Sequence, residues 1–144
     1  MAESTLAGLE IEIGDIGTHN VMPLLHEIRH ALAQLLEDGK ETVIDLRSIP
    51  LAPGEETAIE QALGEGEVQA VLSSLGPSNF RETSYPGVWV VTHYNHDDKI
   101  VGKFVEVAIV PALLRSQTED MAAGLRRLKT RLMDEDGGQG DCAS

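Results

Sequence analysis

A single cysteine, Cys142, is all the chain carries in 144 residues, and it stands in the terminal stretch DEDGGQGDCAS. Without a second thiol the chain cannot close an internal disulfide. Nor can one subunit build a Cys-rich zinc site or an iron–sulfur cluster. Positive charge is also scarce, with 11 Lys and Arg against 24 Asp and Glu and a formal net charge of −13. Such a surface repels phosphate backbones and anionic headgroups, so nucleic acid is not an expected partner. No apolar run approaches the roughly 20 residues of a membrane helix, and MAESTLAGLEIEIG lacks the pattern of a secretory signal. No membrane insertion and a cytoplasmic location are therefore expected.

Familiar catalytic fingerprints are missing as well. No G-x-x-x-x-G-K-[ST], G-x-S-x-G or G-x-G-x-x-G occurs in the sequence, which removes the usual signatures of NTPases, α/β-hydrolases and dinucleotide enzymes. Gly64-Glu65-Gly66-Glu67 contains glycine, but its carboxylates repel the phosphate that a Gly-rich loop cradles with backbone N–H groups. It reads as a turn into a strand, with acid/base work by Glu65 and Glu67 as the lesser alternative. The chain is expected not to be an enzyme and to need no cofactor.

What is present is a hydrophobic content of 42%, enough for one domain with a core of its own. A helix is expected over Asn20 to Asp38, with Asn20 as N-cap, Pro23 tolerated in the first turn and Gly39 as the stop. Its apolar stripe is Leu24, Ile28, Leu32, Leu35 and Leu36. Glu41 to Leu46 reads as a short strand, Pro53-Gly54-Glu55-Glu56 opens a second helix burying Ile59 and Leu63, and Val68 to Leu75 reads as a strand. Val88 to Tyr94 and Ile100 to Ile109 flank Asn95–Asp98 as an antiparallel hairpin, in a register that sets Trp89 opposite Phe104.

Only five aromatic residues occur, Phe80, Tyr85, Trp89, Tyr94 and Phe104, and all fall in this one segment. The hairpin is therefore the expected packing centre. A last helix from Thr118 to Met133 should bury Met121, Leu125, Leu128 and Leu132, with Arg126, Arg127, Lys129 and Arg131 near the negative end of its dipole. The expected fold is α+β: a mixed, largely antiparallel sheet of about four to six strands covered by helices in a single domain. That domain spans 20–133. Residues 1–19 precede it, with Leu9 to Ile13 as an edge strand, and 134–144 form an acidic tail too poor in apolar surface to order.

His26-Glu27-Ile28-Arg29-His30 is a literal H-E-x-x-H, a spacing that can set two imidazoles around a zinc ion. At about 100° per residue, however, His26 and His30 face away from the apolar stripe. Position 36 is leucine where a metzincin-like pattern places a third histidine. A polar helix surface is the simpler reading, and a metal-binding protein or metallohydrolase using His26, Glu27 and His30 is the alternative. Glu55, Glu56 and Glu60 read as a solvated face of the second helix.

The block LLHEIRHALAQLLEDGKETVIDLRSIPLAPGEE, from Leu24 to Glu56, is followed in order by Leu63-Gly-Glu-Gly-Glu-Val68, Arg81-Glu-Thr83, Pro86-Gly-Val-Trp89, His93-Tyr94 and Phe104-Val-Glu-Val107 leading to Pro111. Together these stretches resemble the HupH/HyaF family of hydrogenase expression/formation proteins. The resemblance covers most of residues 24 to 133. Longer members carry this region behind an N-terminal portion, whereas about twenty residues precede it here, so any activity of that portion is not carried over.

The resemblance implies a chaperone-like accessory role in the maturation of nickel–iron hydrogenases. The implied partner is the iron–sulfur small subunit or another maturation factor, met by protein contact rather than chemistry. Arg81, Tyr85 and Glu106 are the candidate contact residues. Glu106 shares a sheet face with Trp89 and Phe104 and needs a partner there, for which Arg81 is the natural choice. The alternative is a polar patch in which Arg and aromatic side chains receive a partner segment.

Overall fold

A computed structural model of the chain describes residues 20–74 and 76–143, with side chains through Asp136. The segment expected to hold an edge strand at Leu9 to Ile13 lies outside the described residues. The chain divides into two compact units, one up to Ala112 and one from Leu113 onward.

The first unit holds helix α1 (Val21–Asp38), strand β1 (Thr42–Asp45), helix α2 (Glu55–Leu63) and strands β2 (Gln69–Leu72), β3 (Ser78–Glu82), β4 (Val88–Tyr94) and β5 (Ile100–Val107). The strands form one sheet in the order β1-β5-β4-β3-β2, and every pair is antiparallel. The α+β expectation holds, with no parallel pair among the described residues. Successive strands β2 to β5 are joined by short connections that favour antiparallel pairing, and β1 closes the far edge by pairing with β5.

Helix α1 ends as its sequence dictates. Gly39 adopts φ 76°, and its N–H donates to Leu35 O, a conformation that other residues reach only with strain. The start differs from expectation. Asn20 caps nothing through its side chain, because its Nδ2 donates to Pro50 O at 3.2 Å and Glu55 Oε1 at 3.3 Å. The stripe is also displaced. Val21, Leu24, Ile28 and Ala31 are buried, Leu32 and Leu35 pack at its margin, and Leu36 is 82% exposed. Leu36 lies one residue beyond Leu35, about 100° around the helix, which carries it off the packed face.

Alternation along the strands sorts the sheet into two faces. One face presents Ile44, Val88, Val90, Val105 and Val107, and these join the buried residues of α1 and Ala58, Ile59 and Leu63 of α2 in the hydrophobic core. The opposite face carries Phe80, Trp89 and Val91, which are also buried. The main core is therefore aliphatic, and the aromatic hairpin is not its centre. The Trp89 indole N–H donates to Ala108 O at 3.1 Å, which satisfies its one polar atom.

The hairpin register differs from expectation by two residues: Trp89 lies opposite Glu106, and Phe104 lies opposite Val91. Its turn supplies the reason. Asn95 N–H donates to Lys99 O at 2.8 Å, Asp98 N–H donates to Asn95 O at 3.0 Å, and Asp98 takes φ 61°. The Asn95 carboxamide oxygen accepts from the Asp97 and Lys99 N–H groups, a local bond that suits Asn to turns. The ladder is then irregular between His93 and Tyr94. A two-residue displacement preserves facing, so Glu106, Trp89 and Phe104 share a face as expected.

The second unit is built on helix α3 (Thr118–Ala143). Two expectations fail here. Met121, Leu125, Leu128 and Leu132 are 53–61% exposed rather than buried. The helix also runs past Met133 to Ala143, so the segment expected to be unstructured is helical as far as that residue. An i,i+4 ion pair, Arg131 Nε to Glu135 Oε1 at 3.5 Å, bridges the expected boundary and favours continuation. Arg126, Arg127, Lys129 and Arg131 consequently sit mid-helix, and no basic residue lies in the last turn. The dipole does not account for them. No helix among the described residues is long and apolar enough to cross a membrane.

Candidate partner-binding site

Helix α2 is anchored by a carboxylate that the sequence reading placed in solvent. Glu55 is fully buried, and its oxygens accept from the Asn20 N–H at 3.1 Å, from Asn20 Nδ2 and from the Ala52 N–H. Its place in the first turn sets negative charge at the positive end of the helix dipole. Glu55 thereby ties the start of α1 to the start of α2 and sets the spacing of the two helices over the sheet.

Along α2 the remaining acidic residues meet the sheet's cations. Lys103 Nζ lies 3.0 Å from Glu60 Oε2 and 4.0 Å from Glu56 Oε2. Arg81 Nη2 lies 3.1 Å from Glu60 Oε1, and its Nη1 lies 3.3 Å from Glu65 Oε1. Arg47 completes the row, with Nε 3.6 Å from Glu56 Oε1. Glu56 and Glu60 are thus not a solvated face. Lys103 is only 9% exposed, and burial of its charge is tolerable because two carboxylates receive it.

The three predicted contact residues do not come together. Arg81 is opposite Val90 and belongs to the helix-covered face, whereas Glu106 is opposite Trp89 and belongs to the other. The proposed Arg81–Glu106 pair is therefore excluded by strand alternation. Arg81 is committed to Glu60 and Glu65, and Glu106 Oε2 accepts from the Ala112 N–H at 2.9 Å. Tyr85 is placed differently. It lies between β3 and β4, is 51% exposed, and has its backbone held by Thr83 Oγ1, which accepts from Tyr85 N–H, and by Val88 N–H, which donates to Tyr85 O.

Tyr85 lines an apolar groove of about 270 Å³ between α1 and α2, together with Leu25, Ile28, Arg29, Leu32 and Ala62. Such a groove, apolar apart from one guanidinium and one phenol among its lining residues, suits an apolar segment of a protein partner. Sequence reading missed Leu25, Arg29 and Ala62. One signal was available: α1 carries more leucines than one core stripe can bury. His26 and His30 are exposed on α1, and Arg29 Nη2 contacts His30 Nε2 at 3.3 Å. No group of three metal-ligating side chains gathers among the described residues. His93 Nδ1 and Ser78 Oγ are 2.6 Å apart, with the imidazole edge-on to Phe80 and Phe104, a packed arrangement within the sheet face.

Residues 18–134 match the family model described as HupH hydrogenase expression protein, C-terminal conserved region. The chain belongs to the HupH family. The stretches from Leu24 to Pro111 that carried the resemblance fall inside that match, as do α1, α2, the whole sheet and most of α3. The hydrogenase expression/formation protein HupH of Rhizobium leguminosarum bv. viciae is 31% identical over 113 residues, covering 78% of this chain and 40% of that protein. The hydrogenase expression/formation protein HupQ of Azotobacter chroococcum is 29% identical over 112 residues, 76% of this chain and 39% of that protein. The chain thus spans about 40% of the length of these curated relatives. Among solved structures, the hydrogenase expression protein HupH from Thiobacillus denitrificans superposes with a TM-score of 0.78 at 41% identity, covering 81% of this chain and 98% of that one.

Proposed function

We propose that this HupH-family chain is a non-catalytic accessory protein in nickel–iron hydrogenase maturation, acting in a chaperone-like way on the iron–sulfur small subunit or its maturation complex. The family match carries the reading, since each relative named above is a hydrogenase expression or formation protein. The groove between α1 and α2 supports contact rather than chemistry, because its walls are apolar and its polar members are Arg29 and Tyr85. Of the three residues first proposed as contacts, Tyr85 is retained. Arg81 and Glu106 act inside the fold.

A chaperone of this kind binds an immature client more tightly than the finished enzyme, since equal affinity for both would give no drive for release. Affinity capture from cells expressing a hydrogenase operon tests the reading. The small subunit or another maturation factor should co-purify with wild type, and Tyr85→Ala or Arg29→Glu should reduce its recovery while Arg127→Glu does not. Recovery lost with Arg127→Glu alone would move the contact to α3. Absence of every hydrogenase component, under conditions where the enzyme matures, would remove the functional assignment.

A further inference from the structure

Arg29 brings an uncompensated charge to the groove between α1 and α2. Arg47, Arg81 and Lys103 are each held by a carboxylate of α2 or of the turn after it, whereas the only polar contact of the Arg29 guanidinium to a described residue is His30 Nε2 at 3.3 Å. No acid stands one turn away on α1, where Leu25, His26, Leu32 and Ala33 occupy the neighbouring positions. None of the side chains that share the groove with Arg29 is acidic. A guanidinium donates from every nitrogen and accepts at none, so its open donors call for an acceptor from outside the chain.

Tyr85 is fixed through its backbone and its neighbours. Ser84 N–H donates to Leu63 O, Thr83 N–H to Val88 O and Val88 N–H to Tyr85 O. Gly87, at φ 93°, lies so close to α1 that a Cβ there would stand 3.2 Å from Leu32 Cδ1. The Tyr85 side chain is nonetheless 51% exposed, and its hydroxyl bonds to no described residue. Arg and Tyr are the residue types that anchor interfaces, and a side chain held on a fixed loop costs less to order on binding.

We propose that the groove selects a partner segment in which a single Asp or Glu side chain stands among apolar residues. The proposal rests on the reading of the groove as the partner-contact face. Apolar side chains enter beside Leu25, Ile28, Leu32 and Ala62, and the carboxylate accepts from the Arg29 guanidinium, whose planar fork suits two parallel bonds. A space of about 270 Å³ falls just below the range of pockets for whole small-molecule ligands, about 300–1,000 Å³. It suits side chains. The acid is a side chain rather than a chain end, because terminal carboxylates are captured by nests of free backbone N–H groups. The groove offers no such nest: Leu25 to Leu32 lie inside α1, and the Tyr85 and Val88 N–H groups are taken by Thr83 Oγ1 and Tyr85 O. Nor is it an acidic run, which a chain of net charge −13 repels.

Panning a random-sequence peptide display library on the full chain tests the proposal. Wild type should enrich one Asp or Glu between apolar residues, and Arg29→Glu should enrich Lys or Arg in its place. A synthetic consensus peptide should bind about tenfold more weakly once its acid becomes Asn or Gln, the effect of losing a charge-assisted bond. It should bind equally well with its C-terminus amidated. Arg29 is exposed, so circular dichroism and Trp89 fluorescence should show Arg29→Glu folded. Apolar peptides with no acidic position, an acidic run, or affinity lost on amidation overturn the proposal; where such binding still falls in Tyr85→Ala, the groove remains the contact face. No enrichment on wild type, or enrichment indifferent to both Arg29→Glu and Tyr85→Ala, overturns it outright. Co-purification of a hydrogenase component from cells is read separately and decides the functional assignment by itself.

Discussion

Replacing Glu55 should destabilise the first unit far more than replacing its neighbour Glu56, although both were equally plausible as surface acids in the sequence. In Glu55→Ala the N–H groups of Asn20 and Ala52 lose the acceptor they now share, while Asn20 Nδ2 keeps Pro50 O. A buried donor left without an acceptor costs about 1–3 kcal/mol. Asn20 and Ala52 are only half-buried, so water recovers part of that penalty. The expected loss is about 2–4 kcal/mol. Glu56→Ala breaks two contacts, at 3.6 and 4.0 Å, from a side chain that remains 31% exposed. That pair of contacts should be worth about 0–1 kcal/mol. Urea unfolding followed by circular dichroism and Trp89 fluorescence measures both variants against wild type. Glu55→Gln separates shape from charge: it keeps one acceptor oxygen, and it should fall between wild type and alanine. A Glu55→Ala protein within about 1 kcal/mol of Glu56→Ala would show that Glu55 does not hold the two helices together.

Trp89→Ala should cost about 3–5 kcal/mol, since the side chain is 4% exposed and truncation both opens a cavity and strands Ala108 O; a near-neutral result in denaturant unfolding would place Trp89 on a surface. Arg81→Glu should destabilise the fold before it affects any partner, because the new carboxylate faces Glu60 and Glu65; a variant of wild-type stability that loses client capture would return Arg81 to the contact list. Calorimetric titration with zinc should give no stoichiometric submicromolar binding that is lost in His26→Ala/His30→Ala. Such binding would instead support the metal reading of the H-E-x-x-H sequence.

Local signals were sufficient for most of the elements. Gly39 and Gly64 mark helix ends because a left-handed φ is easy for glycine alone. The 3.6-residue spacing in α1 and α2 located Leu24, Ile28, Ile59 and Leu63 as core, and alternation put Glu106 with Trp89 and Phe104. The ordered stretches from Leu24 to Pro111 were enough to place the chain in its family. Each of these depends on residues close in sequence or on their order along it. The candidate groove was only partly legible, because Tyr85 belongs to a loop and Leu25, Arg29 and Ala62 gain significance only once α1 lies beside α2.

What only the folded structure decided was, apart from the hairpin turn, nonlocal. The turn at Asn95–Lys99 and the irregularity at His93/Tyr94 moved the hairpin by two residues, a change that hydrophobic pattern cannot register because it leaves facing intact. Which side of the sheet α1 and α2 would cover determined that the aliphatic face became the main core. The same choice gave Arg81 to Glu60 and Glu65 rather than to Glu106. Glu55 became a buried anchor because its acceptors are met by N–H groups from the start of α1 and the loop before α2, donors that no sequence spacing reveals. The exposed leucines of α3 follow the same rule. Their period established an apolar stripe, but burial requires a partner surface, and periodicity in one helix carries no information about where that surface is.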